Sequence, residues 1–108
     1  MMFKRLALLV LLTFAASTSL AKDFTNADFL KLTEGQQHWW YAGATESIGH
    51  LVYLHDEKKA KCVWEWLPSD PEGKKDLLKR SFEMYPAELP TTVLLALLQR
   101  SCGKLMEE

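Results

Sequence analysis

Few side chains in this chain could do chemistry. Among 108 residues there are three imidazoles, His38, His50 and His55, and two thiols, Cys62 and Cys102. If the histidines share one helix, His38 stands about 120° and His55 about 140° from His50, so the three do not converge. Glu46 and His50 share a face at four-residue spacing, but two ligands fall short of the three or four that zinc takes. No metal or other cofactor is expected. Ser101-Cys102-Gly103-Lys104 spells the Ser-x-x-Lys of penicillin-recognising enzymes, yet it falls at the end of a helical pattern without the companion motifs. Neither Gly-x-Ser-x-Gly nor a glycine-rich phosphate loop occurs. With no nucleophile, base and oxyanion donor brought together, the expectation is a protein that is not an enzyme.

How the cysteines read depends on the compartment. Lys4 and Arg5 precede an apolar run, Leu6 to Ala16, interrupted only by Thr13, and Ser19 and Ala21 close it with small residues. A core of that length suits a secretory signal better than a membrane span. Residues 1–21 are therefore read as a signal peptide cleaved after Ala21, and residues 22–108 as one exported, periplasmic domain. In an oxidising compartment an isolated cysteine pair forms a disulfide, here Cys62 to Cys102. Closing a loop of about 41 residues stabilises a fold by about 4 kcal/mol on the chain-entropy account. A redox-active thiol is the alternative, and it lacks the neighbouring Cys-x-x-Cys that would tune it.

Charge narrows the partners. The first 21 residues hold two basic and no acidic groups, whereas residues 22–108 hold 11 basic and 14 acidic ones, a net charge of −3. That sign disfavours nucleic acid, which demands clustered Lys and Arg, and it equally disfavours a basic membrane-surface helix. All four tryptophans fall in two clusters, Trp39-Trp40-Tyr41 and Trp64-Glu65-Trp66. Such rings either fill the core of a small bundle or anchor a protein interface. Adjacent and alternating aromatics point to different faces, so at least one from each cluster is expected on the surface.

The elements that must position these residues are helical. Thr25 with Asp28, and Thr33 with Gln36, form capping boxes, with Phe24 and Phe29 as a hydrophobic staple. They predict a short helix from about Asn26 to Thr33 and a second running to about His55. On the second, Trp40, Gly43, Ala44, Ser47, Ile48, Leu51 and Leu54 recur at three- and four-residue spacing, which predicts one buried stripe. Cys62 to Leu67 is the one stretch suited to an extended conformation, ended by Pro68. Asp70 and Pro71 open a third helix to about Tyr85, burying Leu77, Leu78, Phe82 and Tyr85. A fourth begins at Leu89-Pro90, is apolar on every face from Val93 to Leu98, and is capped by Gly103. The fold class expected is all-α: a small exported bundle of about four helices tied by one disulfide.

Three stretches together resemble the Rap/Tai family of immunity proteins. Trp40-Tyr41-Ala42-Gly43-Ala44-Thr45-Glu46 is similar to that family's aromatic-x-Gly-small core helix, and Cys62 stands where the family has a cysteine after it. Tyr85-Pro86-Ala87-Glu88-Leu89-Pro90, followed by Ala96-Leu97-Leu98 and Cys102, resembles its Pro-Glu-Leu, aliphatic helix and terminal cysteine. Family members commonly carry further cysteines in the first two helices, where Leu32 to His38 has none. The resemblance implies an immunity protein that inhibits a type VI secretion peptidoglycan amidase effector by blocking its active site, often as a homodimer. The contact residues expected on that reading are Trp64, Glu65 and Trp66, in a connection held by the adjacent disulfide. A second reading is a periplasmic acid-stress chaperone of the HdeA kind, which exposes apolar surface as its carboxylates neutralise.

Overall fold

A computed structural model describes residues 23–106; the expected signal peptide and its cleavage point lie outside the described residues. Five helices follow in order: α1 (Asn26–Phe29), α2 (Glu34–Tyr53), α3 (Glu57–Ser69), α4 (Pro71–Met84) and α5 (Pro90–Cys102). Among the described residues there is no strand, and no helix is long and apolar enough to cross a membrane.

Both predicted capping boxes form. The Thr25 amide donates to Asp28 Oδ2 at 3.0 Å while Thr25 Oγ1 accepts from the Asp28 amide, and Thr33 and Gln36 do the same one element later. The first helix is shorter than expected. After Phe29 the amides of Lys31 and Leu32 turn back three residues, to Asp28 and Phe29, which tightens the chain and ends the helix. The amides at its start, which have no partner within the helix, are taken up elsewhere: Asn26 and Ala27 donate to the carbonyls of Glu88 and Pro86, and Asn26 Nδ2 donates to Tyr85 O at 2.7 Å. The loop between α4 and α5 therefore docks α1, whose Phe29 inserts among Trp40, Tyr41 and Phe82 at centroid distances of 5.0 to 5.3 Å.

Three local expectations are corrected. On α2 the fully buried positions are Tyr41, Thr45, Gly49 and Val52, one residue on from the expected stripe, of which Trp40, Ala44 and Ile48 pack partly against the core while Leu51 and Leu54 are exposed. That shift is a rotation of about 100°. Cys62 to Leu67, expected to be extended, is helical within α3. Its Ala60, Val63, Trp66 and Leu67 reach the core at three- and four-residue spacing, and this burial overrides the strand preference of Val and Trp. Pro68 falls in the last turn of α3, where only one further residue follows before the helix ends. Tyr85 lies just past α4 and is half-exposed, because its backbone has left helical geometry.

Helices α2 and α3 make the most extensive contact. Asp70 alone separates α3 from α4, accepting from the Gly73 amide at 3.2 Å. Helix α5 buries Val93, Leu94, Leu97 and Leu98 and leaves Ala96 outside, so it presents one apolar face to the core rather than lying within it. At its end Gly103 takes φ 84°, the left-handed region that a side chain disfavours, and the chain turns back. Leu105 then enters the core, held by a 2.7 Å bond between its carbonyl and His55 Nε2, while the Lys59 ammonium donates to the carbonyl of Lys104.

Candidate partner-binding surfaces

The helical phase of α3 separates its two tryptophans. Cys62 and Trp66 stand one turn apart and face α5, where the disulfide joins Cys62 to Cys102 across a Cα separation of 5.8 Å. Trp66 beside it is only 4% exposed; its indole Nε1 donates to Ser101 Oγ at 3.0 Å, and the Lys74 ammonium lies 4.9 Å over the ring. Trp64 points the other way, against α2. It is half-buried, donates from Nε1 to the carbonyl of Glu46 at 3.3 Å, stacks on Tyr53 at 6.0 Å and meets His50 edge-on at 5.3 Å. Glu65, between them, is exposed and lines a shallow basic groove with Lys58, Lys61 and Lys74. Of the three expected contact residues, one lies open, one shares a surface with α2, and Trp66 belongs to the core.

The residues that could do chemistry are dispersed. His50 approaches Glu46 at 3.8 Å on an exposed face, His38 rests against Trp39, and His55 is engaged with the chain end. Among the described residues no group of three or more His, Cys, Asp or Glu could hold a metal ion. Ser101 accepts from Trp66, and Gly103 breaks the helix before Lys104, so the two ends of the Ser-x-x-Lys string do not share a helical turn. Helices α2 and α4 bound a cleft of about 510 Å³ that includes Leu30, His38, Tyr41, Lys75 and Glu83. Burial pushes the Tyr41 phenol up from 10.0 to about 12. The charges around this cleft are of both signs, and Lys79 and Glu83 pair across one turn at 3.9 Å.

What the sequence pattern did not reveal is the amount of apolar surface left open. Trp39 is 76% and Leu54 81% exposed and Leu51 is open beside Leu54, while Tyr53, about 160° round the helix from Leu51, is half-exposed where it stacks on Trp64. Leu51 and Leu54 continue the three- and four-residue spacing of Trp40, Ala44 and Ser47, of which Trp40 and Ala44 pack partly against the core. Periodicity found this stripe and assigned it to the core. A second open patch, Met84, Tyr85 and Leu89, lies at the junction of α4 and α5. No protein-family model, curated protein or solved structure matches this chain.

Proposed function

We propose that this chain is an immunity-type inhibitor that binds a peptidoglycan amidase effector and covers its active site, with no catalysis of its own. One observation carries the reading: on the outer side of α2, Leu51 and Leu54 stand open one turn apart, with Trp39 open nearer the start of the helix. A solvated helix has no need of Trp39, Leu51 and Leu54, whereas a binding face gains about 1.5 to 3 kcal/mol for each large apolar side chain it buries. The face is carried on a 20-residue helix clamped to α3, and α3 is bridged to α5. Such a surface is formed before its partner arrives, which lowers the ordering cost of association. The likeness of Trp40 to Glu46 and of Tyr85 to Cys102 to the Rap/Tai pattern supplies the class of partner.

Within this reading the contact surface is the α2 face around Leu51 and Leu54, while Trp64, seated in the notch at Gly49, and Glu65 lie away from it. Trp66 serves the fold. The test is inhibition of a cysteine–histidine amidase encoded by a neighbouring gene, followed as release of peptide from peptidoglycan. The wild type should abolish hydrolysis at equimolar ratio, and Leu51→Asp with Leu54→Asp should weaken binding at least about 100-fold, the order expected from losing two interface anchors. A wild type that leaves the amidase active overturns the proposal, as does suppression of client aggregation near pH 2, which belongs to an acid-stress chaperone.

A further inference from the structure

Residues 22–108 contain nine lysines but only two arginines, Arg80 and Arg100, and the two line the same groove. It runs between α4 and α5 with a volume of about 340 Å³, has Leu77, Val93 and Leu97 as its floor, and opens beside Met84 and Tyr85. None of its lining residues is acidic or a lysine. Arginine, methionine and tyrosine are the residues enriched where proteins bind one another, and lysine and the acids are those depleted. A groove of this make-up, in a chain whose acidic groups outnumber its basic ones, is not an average sample of its surface.

We infer that this groove docks a partner-protein segment in which an apolar side chain is flanked by carboxylates. The apolar floor would take the side chain, and a guanidinium from each wall would take a carboxylate. Arginine suits this better than lysine, since its planar fork can hold both oxygens of one carboxylate. The walls are already in place. Asp76 holds Arg80 through Nε at 2.9 Å from one turn back, and no carboxylate among the described residues pairs with Arg100. Ser81 Oγ is turned away to the carbonyl of Leu77 at 2.8 Å, so it brings no competing donor to the floor. The backbone of Tyr85 is pinned by three bonds, its amide donating to Ser81 O and its carbonyl accepting from Asn26 Nδ2 and from the Glu88 amide, so the ring at the mouth of the groove starts from a fixed point. This groove does not depend on the amidase reading, because it lies on α4 and α5 rather than on the outer face of α2.

The test uses the whole protein and two fluorescent amphipathic peptides with the same leucine core, one carrying glutamates on its flanks and the other lysines. The glutamate peptide should bind and shift the backbone amide resonances of Met84, Ala96 and Arg100. Reversing either arginine, Arg80→Glu or Arg100→Glu, should weaken it about tenfold, the loss of one close charge pair. Ala96→Trp, which fills the groove without touching charge, should also abolish binding, and unchanged circular dichroism establishes that each variant is folded. Equal binding of the lysine peptide, no binding of either, or shifts confined to α2 would each overturn the inference. So would self-association of the protein alone that Arg100→Glu abolishes, because the occupant would then be a second copy. Amidase inhibition that persists in the arginine variants leaves the proposed function standing whatever the peptides show.

Discussion

Gly49 lies against the indole of Trp64 so closely that a methyl group in its place would overlap the ring. From that notch the indole Nε1 donates to the carbonyl of Glu46, so α2 and α3 meet through a glycine, a tryptophan and one hydrogen bond. The consequence has an unusual sign. In an open helix, Gly→Ala stabilises by up to about 1 kcal/mol through propensity. Here Gly49→Ala must displace a ring fixed by Tyr53 and His50, and overpacking of that kind costs about 1 to 3 kcal/mol. Urea denaturation should show Gly49→Ala less stable than wild type, while Gly43→Ala, with open space around it, is neutral or stabilising. A stabilised Gly49→Ala would mean that Trp64 does not occupy the notch.

Trp66 gives a contrast between folding and binding. Its ring is enclosed and its indole is bonded to Ser101. Truncation to alanine should cost about 3 to 5 kcal/mol, the range for a buried aromatic. Trp66→Phe keeps most of the volume and loses the bond, and should cost about 1 kcal/mol. With inhibitor binding measured beside thermal melting, Trp66→Phe should melt lower and bind the amidase as wild type does, whereas Trp39→Ala should melt normally and bind more weakly. The reverse pattern would place Trp66 at the interface.

These two cases also show why part of the fold was legible and part was not. The caps at Thr25, Thr33 and Asp70 depend on groups three residues apart, so spacing alone identifies them. The Cys62–Cys102 bridge follows from there being two cysteines and no others. The phase of α2 could not be read in that way. Its sequence carries two candidate stripes about 100° apart, one through Trp40, Ala44, Leu51 and Leu54 and one through Tyr41, Thr45, Gly49 and Val52. The first is the more apolar. The second is buried because Gly49 admits Trp64, and a match between a notch on one helix and a ring on another lies outside any local pattern. The same absence of long-range information made Cys62 to Leu67 read as extended, where the structure has a helix. Of the expected stripe Trp40, Ala44 and Ile48 do pack partly against the core, and Leu51 and Leu54, which do not, are both the misreading of burial and the main support for a binding role.

The disulfide should act through the unfolded chain as well as the folded one. Its two ends lie 40 residues apart, and it joins α3 to α5 next to the point where Leu105 re-enters the core. Replacing both cysteines, Cys62→Ala with Cys102→Ala, should lower the unfolding free energy by about 4 kcal/mol, a large part of what a small domain has. Far-ultraviolet circular dichroism at low temperature should change little, since every helix retains its own hydrogen bonds. A double variant with unaltered denaturation midpoint would contradict the role assigned to the bridge.

The Tyr41 phenol supplies a prediction at alkaline pH. Burial raises its pKa from 10.0 to about 12, so the folded chain holds this proton more tightly than the unfolded chain does. Stability from this source is therefore complete below pH 10 and is lost as the pH climbs from about 10 through about 12, where the unfolded state releases the proton that the folded state keeps. Ultraviolet difference absorbance should show one phenol ionising late, with a midpoint near 12 or coincident with unfolding, and Tyr41→Phe should remove that phase. The Phe variant keeps the ring contact with Phe29 at 5.3 Å and lacks the ionisable group, so its stability should fall less steeply than that of wild type over the same interval. Parallel alkaline slopes for the two proteins would show that the phenol ionises as freely in the folded chain as in the unfolded one.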